Sequence, residues 1–205
     1  MSLTPRILRI VGDASDATRL AEAARIVQHG GLVAFPTETV YGLAADATNS
    51  QAIERLNQVK GRPPEKPYSW HVHSIDQVHA FIGTIPPLGQ RLIDRFWPGP
   101  LTIVLPAPGG AMIGFRLPDH PITQAFLRAC KVAVVAPSAN RSGMPPPTSA
   151  AQDVAALNGN VDVVLDGGPT ILSRESTVVQ VFQDRVQILR EGAIPTATIL
   201  SMVKD

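Results

Sequence analysis

The chain has 205 residues, of which 44% are hydrophobic and 17% charged, and its formal net charge is +1. Length alone allows one well-buried core, so one α/β domain over residues 1–205 is expected. A charge this close to zero excludes a global field for nucleic acid, and the single cysteine, Cys130, excludes an internal disulfide or a multi-cysteine zinc site.

In chain order, Met1 to Asp16 shows no basic segment followed by an apolar block, so no secretory signal is read there. No run of about 18 apolar residues follows anywhere, and a soluble, cytoplasmic protein with no membrane partner is expected. Leu20, Ala23, Ala24 and Val27 recur at helical spacing, which predicts a helix over Asp16–Gln28 stopped by Gly30-Gly31. Leu32–Phe35 is a short apolar strand ending at Pro36, and Gln51–Val59 a second helix ended by Gly61 and Pro63. Tyr68–Val72 reads as a strand with Tyr68, Trp70 and Val72 on one face and Ser69, His71 and His73 on the other.

Helices are predicted over Ile75–Phe81, Pro86–Phe96 and Pro121–Cys130, with strands over Leu101–Leu105, Gly114–Leu117 and Val132–Ala136. Cys130, in the apolar run Ala125–Cys130, is expected to be a small buried hydrophobe rather than a nucleophile. A helix over Ala150–Leu157, capped by Thr148 or Ser149, precedes strands over Val161–Leu165, Thr177–Val181 and Val186–Leu189 and a last helix over Thr196–Val203. Alternating helices and strands say α/β, and strands that follow one another without a helix near the end predict a mixed sheet. The 19 prolines sit at strand ends and in short loops, which stiffens the connections.

Neither a Gly-x-x-x-x-Gly-Lys-Ser/Thr loop nor a Gly-x-Gly-x-x-Gly loop is present, and no paired-cysteine or His-Glu-x-x-His metal motif occurs. Four segments carry candidate chemistry. Lys60, Arg62 and Lys66 offer a fork and point charges suited to polyphosphate, although cations at a helix C-terminus are also favoured by the dipole alone. Ala136–Gly143 places small hydroxyl and amide groups beyond an apolar strand, where α/β proteins usually bind ligands and where an ordinary polar turn looks much the same. Thr37-Glu38-Thr39 and Glu175-Ser176-Thr177 suit the ammonium, carboxylate and hydroxyl of an amino acid, or equally serve as turn bonds. Arg116 and Arg190 suit a substrate anion or a surface ion pair.

Seven blocks in order join these segments: Phe35–Leu43, Lys60–Pro63, Trp97–Thr102, Arg116–Pro121, Ala136–Gly143, Glu175–Val178 and Leu189–Gly192. They resemble the YrdC/Sua5 family, the threonylcarbamoyl-AMP synthases, over about residues 15 to 195. The resemblance implies a twisted mixed sheet with flanking helices around a large concave cavity. It implies ATP-dependent synthesis of threonylcarbamoyl-AMP from L-threonine and bicarbonate or carbon dioxide, for a tRNA modification. Lys60, Arg62, Ser138 and Asn140 match the family's catalytic nucleotide signature, and Lys66 and Arg190 would also face ATP. Thr39, His71, Arg116 and Ser176 would contact threonine, and main-chain groups near Met112 and Pro146 (toward ATP) and Ala136 (toward threonine) would complete the pocket. Mg2+ would arrive with ATP, and no metal site of the protein's own is expected.

The chain departs from the family pattern at Tyr68-Ser69-Trp70, where an aliphatic strand is usual, at Ser173-Arg174, where glycine and a small residue are usual, and at Pro146, where serine is common. Ending at Asp205, it resembles the short branch without the C-terminal Sua5 domain, which implies separate threonylcarbamoyl-transferase proteins as partners. The competing reading is a double-stranded RNA or tRNA binding module of the same fold without synthase activity. Near-zero charge argues against strong nonspecific RNA binding, and a steep salt dependence of RNA affinity would favour it. A relative of the central domain of hydrogenase-maturation carbamoyltransferases is excluded by the lack of cysteine-rich fingers, and retention of the four signature residues argues against a paralogue that has lost its site.

Overall fold

The computed structural model describes residues 5–157 and 159–203. Its first half contains β1 (Arg6–Arg9), α1 (Asp16–Gln28), β2 (Val33–Phe35), β3 (Gly42–Asp46), α2 (Ser50–Lys60), β4 (Trp70–His71), α3 (Ile75–Ile82) and α4 (Pro87–Phe96). The second half adds β5 (Leu101–Pro106), β6 (Met112–Arg116), α5 (Pro121–Cys130), β7 (Val134–Val135), α6 (Ala150–Ala156), β8 (Val163–Asp166), β9 (Thr177–Val181), β10 (Val186–Arg190) and α7 (Thr196–Ser201).

All ten strands join one mixed sheet in the order β1-β8-β2-β3-β7-β4-β6-β5-β9-β10. Pairing is parallel for β1/β8, β2/β8, β4/β6 and β5/β9, and antiparallel for β2/β3, β3/β7, β4/β7, β5/β6 and β9/β10. Helices cover the sheet because each carries one apolar stripe. In α1 that stripe is Leu20, Ala23, Ala24 and Val27, which packs with Phe126, Leu127 and Cys130 of α5 on Val33, Phe35, Val163 and Leu165. A second cluster gathers Val78, Leu92 and Ile93 from α3 and α4 over Leu101, Ile103, Leu105 and Phe115. Helix α2 starts where the Asn49 side chain accepts from the main-chain N–H of Gln51 and Ala52, and ends where Gly61 turns left-handed at φ 57°. Among the described residues no helix is long and apolar enough to cross a membrane.

The predicted elements are present, with shifts at their ends. The Tyr68–Val72 strand shrinks to Trp70–His71 and the Val132–Ala136 strand to Val134–Val135. Two strands were not expected. Strand β1 is a largely exposed edge with an arginine at each end, and β3 reads Gly-Leu-Ala-Ala-Asp, lacking β-branched residues, yet is buried along its whole length. Its first residue explains the composition: a side chain at Gly42 would meet the ring of Phe35 across the pair.

Candidate functional site

Strand alternation builds one wall of a cavity of about 780 Å³. Ile103, Phe115, Val179 and Val181 turn to the core, while Thr102 and Val104, Met112, Gly114 and Arg116, and Ser176, Val178 and Gln180 turn to the cavity. The facing wall comes from the end of α2, the loop after it, and the segment that follows β7.

Lys60 is buried, and its ammonium donates to the main-chain carbonyls of Ser138 and Asn140, so it ties α2 to the loop beyond β7. The main chain adds a second tie, Ser142 N–H donating to the Lys60 carbonyl at 2.8 Å. Burial, helped by the Arg62 charge, lowers the Lys60 pKa to about 8. Asp153 of α6 opposes that shift, and is itself fully buried with neither carboxylate oxygen hydrogen-bonded among the described residues, so burial holds its carboxyl well above the usual range. Asn140 donates to the carbonyls of Arg141 and Met144, at 3.1 and 2.5 Å, and its buried Oδ1 has no partner among the described residues.

Arg62 donates to the Pro67 carbonyl at 2.9 Å and lies over the Tyr68 ring, 4.8 Å from its centre. Tyr68 is fixed in turn by its hydroxyl donating to Asn57 Oδ1 at 2.6 Å. The aromatic residue that breaks the aliphatic pattern is thus a platform for the guanidinium. Trp70 packs edge-on against Phe81, ring centres 4.4 Å apart.

Arg116 ends β6 in register with His71 of β4. Its Nη2 donates to Thr39 Oγ1 at 2.7 Å and stands 2.9 Å from Glu38 Oε1, in an ion pair whose two side chains are 6% and 7% exposed. The imidazole of His71 is pushed down to about 3, by burial first and by the Arg116 charge second, and its Nδ1 is buried without a partner among the described residues. Ser176 Oγ is 2.8 Å from Thr102 Oγ1. Arg190 reaches the Ser176 carbonyl and hydroxyl and pairs with Glu175 at 2.6 Å.

Of the residues that the family resemblance assigned to the site, Lys60, Arg62, Lys66, His71, Met112, Arg116, Ala136, Ser138, Asn140, Ser176 and Arg190 line this one cavity. Two do not. Thr39 is wholly buried behind the wall, its hydroxyl taken by Thr37 and Arg116. Pro146 lies beyond the turn, where Gly143 and Met144 take the lining position. The sequence reading missed Thr102, Ser69 and Gln180, which also line the cavity. Period-two alternation along the strands was the signal for Thr102 and Gln180, once their faces are known.

A mixed α/β sheet holding a cation-lined cavity with no phosphate loop defines a class, and the family model described as "Sua5_yciO_yrdC: Telomere recombination" matches residues 25–192. The chain belongs to the Sua5/YciO/YrdC family. It is similar to the threonylcarbamoyl-AMP synthases of Bacillus subtilis, 38% identical over 195 residues, and of Pyrococcus abyssi, 38% identical over 192 residues. Those alignments cover 90% and 89% of this chain and 56% of each relative, so the chain spans a little over half the length of these two curated proteins. The structure of P. abyssi Sua5 complexed with L-threonine superposes with a TM-score of 0.89 at 34% identity, over 98% of this chain and 61% of that one.

Proposed function

We propose that this chain makes L-threonylcarbamoyl-AMP from L-threonine, bicarbonate or carbon dioxide, and ATP, releasing pyrophosphate, as the activated intermediate for threonylcarbamoyladenosine in tRNA. One observation carries the reading. A single cavity collects four cations suited to a polyphosphate, Lys60, Arg62, Lys66 and Arg190, with a buried arginine, a neutral imidazole and a hydroxyl suited to an amino acid, Arg116, His71 and Ser176. The similarity to synthases, one of them seen with L-threonine, supports it.

In this mechanism Arg116 anchors the threonine carboxylate, and the neutral His71 leaves the amine free of a competing positive charge. The amine captures carbon dioxide and loses a proton, giving a carbamate. A carbamate oxygen attacks the α-phosphorus of ATP and the bond to the β-phosphate oxygen breaks, so pyrophosphate leaves. Negative charge gathers on the phosphate oxygens, and Arg62, Lys60 and Lys66 stabilise it by position and charge rather than by covalent chemistry. Magnesium, bound to the nucleotide, would neutralise part of the polyphosphate. The adenylate would then pass to separate transferase proteins acting on tRNA, in the cytoplasm.

The test is pyrophosphate release by the purified chain with ATP, magnesium and bicarbonate, with and without L-threonine. Threonine-dependent release is expected, with a loss of about 10²-fold or more in Arg62→Ala. No release under any condition from folded protein sinks the synthase reading.

A further inference from the structure

His71, Arg116 and Ser176 come from separate parts of the sequence, and the sheet explains why they meet. His71 pairs with Arg116 across β4 and β6. Thr102 and Arg116 are the residues next along from the Ile103–Phe115 pair of β5 and β6. Thr102 in turn pairs with Val178 of β9, and Ser176 lies two residues before Val178 on the same cavity-facing side. Because β4, β6 and β5 are neighbours, His71, Arg116 and Thr102 form a lateral row across the cavity floor, one strand spacing of about 4.8 Å per step, and Ser176 stands diagonally beyond Thr102 at the start of β9. Three of the four are the residues assigned above to the amino acid. The fourth, Thr102, fills the gap between Arg116 and Ser176.

Proton counting shows what the gap offers. Thr102 is 3% exposed and lines the cavity, and its hydroxyl has one hydrogen bond among the described residues, the 2.8 Å contact with Ser176 Oγ. Arg190 Nη2 donates to Ser176 Oγ at 3.3 Å, so that oxygen already accepts. The two hydroxyls carry two protons, and one is spent between them whichever donates. The other has no protein acceptor, and lone pairs remain beside it. The pair therefore presents both a donor and an acceptor to the cavity, one strand away from the arginine. A ligand hydroxyl, which also both donates and accepts, is the complementary group, and an amino acid held by its carboxylate at Arg116 carries its side chain at that reach.

We propose that Thr102, through its hydroxyl pair with Ser176, recognises the side-chain hydroxyl of the amino acid and sets the preference for threonine over an amino acid that lacks it. The assignment rests on the synthase reading above. It is distinct from a carboxylate-binding role, which would act on every amino acid alike, and from a strut between β5 and β9, which would act on the whole cavity.

The experiment compares wild type with Thr102→Val, which keeps the shape and removes the hydroxyl, and with Thr102→Ser, which keeps the hydroxyl. Pyrophosphate release with L-threonine gives kcat/KM, and competition by L-2-aminobutyrate, which lacks the hydroxyl, gives its inhibition constant. Binding of a non-hydrolysable ATP analogue checks the rest of the cavity. Thr102→Val is expected to lose about tenfold in kcat/KM for threonine, with the inhibition constant of 2-aminobutyrate and the analogue's affinity within twofold of wild type. Thr102→Ser is expected to recover most of the loss. Equal losses for both amino acids, an undiminished rate with threonine, or weakened analogue binding overturns the proposal. A wild-type chain with no threonine-dependent release overturns the synthase reading instead, with the proposal that rests on it.

Discussion

At the scale of single residues, His71 shows how placement overrides identity. A free imidazole gains a proton near pH 6.5, but this ring is buried beside the Arg116 charge, edge-to-face with Phe35 at 6.0 Å between ring centres, and its pKa falls to about 3. Between those two values the unfolded chain binds a proton at His71 that the folded chain does not, so folding stability falls as pH drops through that window. The contribution is up to roughly 1.4 kcal/mol per pH unit. Wild type is therefore expected to lose stability more steeply between about pH 6 and pH 4.5 than His71→Asn, as read from urea-denaturation midpoints. Equal slopes for the two proteins would show that the imidazole titrates normally. This environment was not legible in the sequence, where His71 is one polar residue in Tyr68-Ser69-Trp70-His71, and neither Arg116 nor Phe35 is near it in the chain.

Elements carry the next level of argument, and Lys60 is the joint between two of them. It reads from the sequence as a phosphate ligand or as a cation placed by the helix dipole. In the structure it sits at the end of α2, with its ammonium on the carbonyls of Ser138 and Asn140. Two of the four signature residues are thereby held by a third. Removing the ammonium leaves buried carbonyls without a donor, which costs about 1–3 kcal/mol. Lys60→Ala is expected to speed amide hydrogen exchange across residues 138–144, leave α1 and α5 unchanged, and raise the KM for ATP more than that for threonine. Unchanged exchange in that loop would argue that Lys60 acts on the nucleotide alone. The helices were legible because each carries one apolar stripe, as Leu20, Ala23, Ala24 and Val27 do on α1. Strand β3 was not, because Gly-Leu-Ala-Ala-Asp has no β-branched residue and Gly42 answers to the close Phe35 ring rather than to intrinsic strand preference.

For the whole molecule, the cavity matters because its lining residues are spread from Thr37 to Arg190. The seven sequence blocks found many of its walls, while the side-by-side order of β4, β6, β5 and β9, which brings them together, depends on crossovers that no local pattern reveals. Since α2, β4, β5, β6, β9 and β10 all contribute, a ligand that fills the cavity links elements that otherwise open separately, and its binding energy adds to folding stability. At a concentration near 100 times its dissociation constant a ligand adds about 2.7 kcal/mol, which for a chain of this size is a rise of roughly 5–10 °C in Tm. A non-hydrolysable ATP analogue and L-threonine are each expected to raise the Tm of wild type. Arg62→Ala should lose the shift with the analogue and keep the shift with threonine, because Arg62 lies on its Tyr68 platform while the amino-acid row is built on other strands. A variant that loses both shifts would mean the two groups of residues form one indivisible site, and a variant that loses neither would remove Arg62 from the nucleotide's binding surface.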